Sequence, residues 1–149
     1  MSNTFTQILY HIVFATKERT ACLSKNRRDD LYGYMWGINK ALKCYLYRIG
    51  GVDDHVHILT HLHPTLSLSS YVEKLKTGST KWIRKECVFM QWPGWQDGYA
   101  AFTLSIKEKD EVSKYIMNQE EHHRRVSFID EYKRLLAEAG IEFDERYLI

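Results

Sequence analysis

The sequence predicts an α+β fold: an antiparallel sheet laid down in the order β-α-β-β-α-β, followed by further helices. Three observations predict it. Short runs rich in β-branched and aromatic residues alternate with segments whose apolar residues recur every three or four positions. The two middle strand-like runs are joined by a turn, GGVDD, where the other connections are helical. Finally, 149 residues with 44% apolar and 27% charged content suit one globular domain, residues 1–149, large enough for a real core.

Residues 5–16, FTQILYHIVFAT, read as the first strand. With Ser24 as N-cap, the next segment places Leu31, Tyr34, Met35, Ile38 and Leu42 on one helical face. Residues 44–52, CYLYRIGGV, form a second strand and 55–62 a third, paired as a hairpin. Ser67 to Glu86 reads as a second helix, with Leu68, Tyr71, Val72, Leu75, Trp82 and Ile83 on one side. YAAFTLS is the fourth strand. From Asp110, EVSKYIMNQEEHHRR is a third helix, and Phe128 to Ala139 a fourth, closed by Gly140. This is the split βαβ, ferredoxin-like order, with helices expected on one face of the sheet and the other face open. Many unrelated activities use it, so function must be read from a site.

The net charge of +2 names no partner by itself. Cys22, Cys44 and Cys87 are odd in number and lack a CxxC pair, which suits a reduced, cytoplasmic protein with free thiols. No apolar run approaches 18 residues, so no membrane span is expected, and the start is a poor signal peptide.

Four of the seven histidines fall in DDHVHILTHLHP, at His55, His57, His61 and His63. Alternate strand residues share a face, so His55 and His57 project side by side on the face expected to be open, with Val56 and Ile58 toward the helices. An HxH pair is compatible with an inert surface. It is also a common metal-binding pair, completed only by a third ligand from elsewhere. Asp53 and Asp54, in the preceding turn, are placed to add an oxygen or orient an imidazole. His61 and His63, beside Pro64, are expected to face solvent. In the third helix, YIMNQ stacks Tyr115 and Gln119 one turn apart. Taken alone, a helical tyrosine is ordinarily a packing residue.

Together, the HVHIL strand after GGVDDH, the strand in WQDGYAAFTLS, YIMNQEEHHRR and the closing EFDERYLI resemble the small single-tyrosine transposases of the HUH superfamily. These occur in bacterial insertion sequences and as proteins linked to repeated extragenic palindromes. The likeness runs over nearly the whole chain. It implies that His55 and His57 bind magnesium or manganese, that Gln119 is the third protein ligand, and that Tyr115 is the catalytic nucleophile. It also implies a single-stranded DNA substrate with a hairpin, action at the nucleoid, a covalent 5′-phosphotyrosine, and a homodimer in which active sites can be shared between subunits. The chain has Val52 where an acid would stand three residues before His55, so no carboxylate ligand is identified.

Such chemistry suits these residues. A tyrosine conserves the phosphoester bond in a covalent intermediate, and its phenolate leaves more readily than a serine alkoxide. Neutral ligands leave the full charge of the ion to act on phosphate. For DNA contacts, Lys74, Gly78, Lys81 and Lys85 fall in one stripe of the second helix at 100° per residue, with Gly78 suggesting a close approach by a backbone or base. Arg19, Lys25, Arg27 and Arg28 form a second basic group, and Trp82, Trp92, Trp95 and Tyr99 are aromatics divided between core and base stacking.

Three other readings compete. One is a domesticated relative acting on chromosomal palindromic repeats; the small size and lack of a C-terminal extension favour the mobile-element version. Another is a non-catalytic nucleic-acid-binding module on the same fold. The third is a small histidine-based metal protein, which the basic stripe disfavours.

Overall fold

The computed structural model describes residues 3–148. Strands β1 (Leu9–Ala15), β2 (Tyr45–Gly51), β3 (His55–His61) and β4 (Ala100–Leu104) form one sheet in the order β2-β3-β1-β4. Every pairing is antiparallel, as the split βαβ order requires. Helices α1 (Lys25–Ala41) and α2 (Leu68–Glu86) supply the two crossovers. Ser24 stands at the N-cap position of α1 without a side-chain bond, whereas Ser67 Oγ accepts the amide of Ser70 at the start of α2.

The strands place even-numbered residues on one face. Ile12, Phe14, Val56 and Ile58 meet Leu31 and Met35 of α1 and Tyr71, Val72 and Leu75 of α2 in the main core. Trp92 and Trp95 pack edge-to-face at 4.9 Å, and Trp82 stacks on Tyr34 at 4.8 Å, so these rings serve the core and the α1–α2 surface.

The odd-numbered face is not open. Helices α3 (Lys109–Met117), α4 (Gln119–His122) and α5 (Phe128–Glu138) lie on that side, and Phe128, Tyr132 and Leu136 close a second core on Val13, Ala15 and Ala100. His55 and His57 are therefore 0% exposed, in contrast to the expected solvent-facing pair. The reason is apolar stripe matching: α5 has its own apolar face, and it buries that face against Val13, Ala15 and Ala100 at the back of the sheet. The predicted single third helix is interrupted at Asn118 (φ −93, ψ 18). Gly50 makes the close docking of α3 possible. A Cβ there would stand 2.7 Å from the carbonyl oxygen of Ile116. Gly140 follows α5 at φ +72. Among the described residues, no helix is long and apolar enough to cross a membrane.

Candidate active site

The second face converges on one carboxylate, Glu131 in the first turn of α5, itself 0% exposed. Its Oε1 lies 3.3 Å from His55 Nε2, 3.0 Å from His57 Nε2 and 3.1 Å from His123 Nε2. Its Oε2 accepts hydrogen bonds from Tyr115 Oη and, at 3.1 Å, from Gln119 Nε2. Gln119 Oε1 turns the other way, 3.1 Å from His55 Nε2 and 2.9 Å from His123 Nε2. The break after α3 sets this arrangement: Tyr115 ends one helix, Gln119 begins the next, and His123 follows one turn later.

The outer nitrogens fix the imidazoles. His55 Nδ1 is 2.7 Å from Asp54 Oδ1, and His123 Nδ1 is 2.6 Å from the carbonyl of Val126, so each Nδ1 carries a proton. His57 Nδ1 meets His11 Nε2 at 2.8 Å. Neutral His55 and His123 then aim Nε2 lone pairs at the oxygens of Glu131 and Gln119. Lone pairs facing lone pairs repel, so this geometry calls for a cation between them, either a proton or a metal ion.

Ionisation follows from these contacts. Burial alone would lower the His55 pKa, but Asp54 and Glu131 outweigh it and raise the value to about 9. Burial lowers His57 to about 4; burial and then His57 lower His11 to about 3. Burial would raise the Glu131 carboxyl, yet its polar contacts with His123, His55 and His57 hold it far below the carboxylate range. Burial and then Glu131 push the Tyr115 phenol up, against the pull of Arg134. Arg134 Nη2 donates to Tyr115 Oη at 3.0 Å. Without a metal, then, the proton stays on the phenol and His55 carries the cationic charge.

The donor set fits a divalent ion. His55, His57, His123 and Glu131 bring ligand atoms within 4.8 Å of one another. Nδ1 partners of the Asp54 and Val126 kind are the usual means of orienting metal-binding histidines. Imidazole with carboxylate and amide oxygen suits manganese, and magnesium through its oxygens. A cavity of about 540 Å³ opens onto Tyr115, lined also by Asn118, Glu121, His122, Arg125 and Val126.

The sequence-predicted His55, His57, Tyr115 and Gln119 thus come together within one chain. Two candidate metal ligands were missed, as was Arg134 beside Tyr115. Glu131 carried a signal: it falls among Phe128, Tyr132 and Leu135 on the apolar stripe of an amphipathic helix, where an ordinary carboxylate would not be buried. His123 lies one turn beyond Gln119 and had only that spacing. His61 Nδ1 stays near the backbone of Ile8, and His63 Nδ1 near Thr65, both away from the cluster. Lys74, Lys81 and Lys85 are exposed on α2, on the opposite side of the sheet from Tyr115. The close approach at Gly78 is to Ile38 of α1, whose Cδ1 would lie 2.9 Å from a Cβ there.

A ferredoxin-like sheet roofed by helices that bring a tyrosine to a histidine-carboxylate cluster describes a class of DNA-processing enzymes. The chain belongs to the IS200-like transposase family, whose model matches residues 4–119, a span that includes His55, His57, Tyr115 and Gln119. It is similar to a protein from Deinococcus radiodurans R1 designated a transposase, at 24% identity and a TM-score of 0.61, over 80% of this chain and 96% of that one. A REP-associated tyrosine transposase bound to a REP hairpin is 15% identical over 85% of this chain and 76% of that one, with a TM-score of 0.61. No curated protein matches the chain.

Proposed function

We propose that this transposase cleaves and rejoins hairpin-bearing single-stranded DNA through a covalent 5′-phosphotyrosine at Tyr115, using magnesium or manganese held by His55, His57 and Gln119. The observation that carries the reading is the meeting of Tyr115, Gln119 and the histidine pair at the Glu131 carboxylate. Glu131 and His123 complete the proposed ligand set, the carboxylate supplying the anionic oxygen that the neutral ligands lack. When bound, the ion would act as a Lewis acid on the scissile phosphate. The hairpin follows the company this fold keeps, since the REP-associated relative is bound to one.

The protein groups divide the remaining work. Tyr115 Oη forms the bond to phosphorus as the bond from phosphorus to the 3′ oxygen breaks, and that oxygen leaves with the electron pair. Glu131 Oε2, already its hydrogen-bond acceptor, orients the phenol, whose proton passes to solvent in the cavity that opens onto Tyr115. The departing 3′ oxygen takes a proton from solvent in the cavity that opens onto Tyr115. In rejoining, a 3′-hydroxyl oxygen bonds to phosphorus and gives its proton to solvent as the bond from phosphorus to Tyr115 Oη breaks; Arg134 stabilises the departing phenolate until it takes a proton from solvent. All these side chains come from one chain, so the proposed centre is assembled in cis.

The non-catalytic module is disfavoured because both sheet faces are covered, whereas binding modules of that type stack bases on a bare sheet. The deciding experiment incubates the protein with labelled hairpin single-stranded DNA and Mg²⁺ or Mn²⁺, then looks for a denaturation-resistant adduct. An adduct with the wild type and none with Tyr115→Phe is expected; a persistent adduct would move the nucleophile elsewhere. The mobile-element role, in preference to a domesticated one, predicts subterminal palindromes flanking the gene.

A further inference from the structure

A second polar site lies at the β2 edge, behind the α3–α4 break. It is a cleft of about 240 Å³ lined by Lys25, Arg28, Tyr32, Arg48 and Glu120, with the backbone of Gly50 and Gly51. Two hydrogen-bond donors here are buried and unpartnered: Nε of Arg28, a residue only 9% exposed, and the hydroxyl of Tyr32. Buried donors in native proteins are ordinarily satisfied, so the pair points to an acceptor. The carboxylates lining the cleft are Asp29 and Glu120. Glu120 reaches Lys25 at 3.3 Å but stands 4.0 Å from Arg28 Nη2, beyond hydrogen-bond range. A planar carboxylate thus occupies, incompletely, a place where three cations and a phenol converge.

We propose that this cleft is a subsite for a backbone phosphate of the bound DNA strand, and that Glu120 holds the place in the free protein. A tetrahedral phosphate presents more acceptor oxygens than a carboxylate and pairs naturally with an arginine fork. The position fits the reaction centre. Glu120 directly follows Gln119, and Ile116 and Met117 of the cleft flank Tyr115 on the same helix. Entry of a phosphate displaces Glu120 and so acts on the short helix α4 that carries Gln119. The inference rests on the reading of the chain as a transposase of single-stranded DNA, but not on its metal or its nucleophile.

The test is equilibrium binding of a fluorescein-labelled hairpin oligonucleotide to the full chain by anisotropy, in EDTA, so that neither ion nor cleavage enters. Failure of the phosphotyrosine reading would appear only in the adduct assay. Glu120→Gln is expected to bind about threefold more tightly, an exposed-charge effect. Arg28→Gln is expected to bind about tenfold more weakly, with the slope of log K against log salt smaller in magnitude by about 0.7, the loss of one phosphate contact to a single strand. In the Arg28→Gln background, Glu120→Gln should give no gain. An equal gain in both backgrounds would mean that Glu120 acts only through net charge, and would overturn the proposal. If Arg28→Gln fails to fold, the exposed Arg48→Gln carries the same double comparison. Inorganic phosphate, titrated at constant ionic strength, separates the sources. Competition present in the wild type and lost in Arg28→Gln is expected, because strand and ion then share the cleft; a phosphate-dependent rise in Tm that is lost in Arg28→Gln, with DNA affinity unmoved by phosphate, would give the cleft to free phosphate and overturn the strand as its occupant.

Discussion

On one face of the sheet, Ile12, Phe14, Val56 and Ile58 meet two long helices in an apolar core. On the other, Val13 and Ala15 share their side with His11, His55 and His57 under three short helices. The same strands serve both faces, so neighbouring residues of β3 do opposite work: Val56 and Ile58 exclude water, while His55 and His57 bring polar rings into a buried cluster. The first face needs only volume and shape. The second needs a partner for every polar atom, because an orphaned buried charge costs several kcal/mol. Glu131 satisfies that need by accepting from three sides. The coverings differ in kind as well: α1 and α2 have 17 and 19 residues, whereas α3, α4 and α5 have 9, 4 and 11. A short, interrupted roof is the part of such a fold that opens at least cost, which suits a nucleophile that must carry a strand.

The sharpest way to break this comparison is to separate the histidine face from its roof in different molecules. Tyr115→Phe and His55→Ala proteins, each inactive alone, should form no adduct when mixed, because tyrosine and ligands meet within one chain. Restored adduct in the mixture would show that the roof of one chain serves the sheet of another, and the reaction centre would belong to a dimer.

The apolar face should answer differently. Phe14→Ala removes a fully buried ring from the main core and is expected to cost about 3–5 kcal/mol in urea unfolding. The folded fraction should still form adduct at the wild-type rate. A large loss of rate per folded molecule would mean that the two faces are coupled.

A smaller effect, on the order of 3 kcal/mol, belongs to pH in the metal-free protein. The folded His55 pKa of about 9 lies above the unfolded 6.5. Its stabilisation, supplied by Asp54 and Glu131 against the cost of burial, is therefore present below pH 6.5 and lost as pH rises toward 9. His57 and His11 act in the opposite sense: their folded values of about 4 and 3 lie below 6.5, so stability falls as the unfolded chain takes up protons under pH 6.5. Metal-free protein should be most stable near pH 6.5, with the steeper decline on the acid side, where two histidines oppose folding. Saturating Mn²⁺ should flatten the alkaline limb by replacing the His55 proton. Chemical denaturation across pH, with and without the ion, checks both limbs.

How far these faces could be read beforehand follows the same division. Apolar periodicity exposed the strands and long helices, because burial against one partner leaves a period of two or of three to four. The break at Asn118 left no such trace: no Gly or Pro marks it, and it lies between Tyr115 and the Gln119 and His123 side chains that reach the carboxylate. The histidines were placed on the correct face, but that face was taken as open, since the apolar stripe of Phe128, Tyr132 and Leu136 was not assigned a surface to cover. Following that stripe to the back of the sheet would have brought Glu131 into the site with it. The α2 stripe was legible as a pattern of charge, yet which side of the sheet it would occupy relative to Tyr115 depended on topology.

Gly78 gives the smallest and most discriminating change. In an exposed helix interior, alanine is favoured over glycine by about 1 kcal/mol. Here the new Cβ would lie 2.9 Å from Ile38 Cδ1, the movable end of a side chain on α1. A rotamer shift of Ile38 costs about the same as the helix gains, so Gly78→Ala should change stability by less than about 1 kcal/mol in either direction. Because the contact is to a helix of the apolar face, DNA affinity by anisotropy should remain at the wild-type value, and Ile38→Val in the same chain should restore any lost stability. A drop in affinity without a change in stability would instead place DNA against α2 and give the apolar half of the molecule a share in substrate binding.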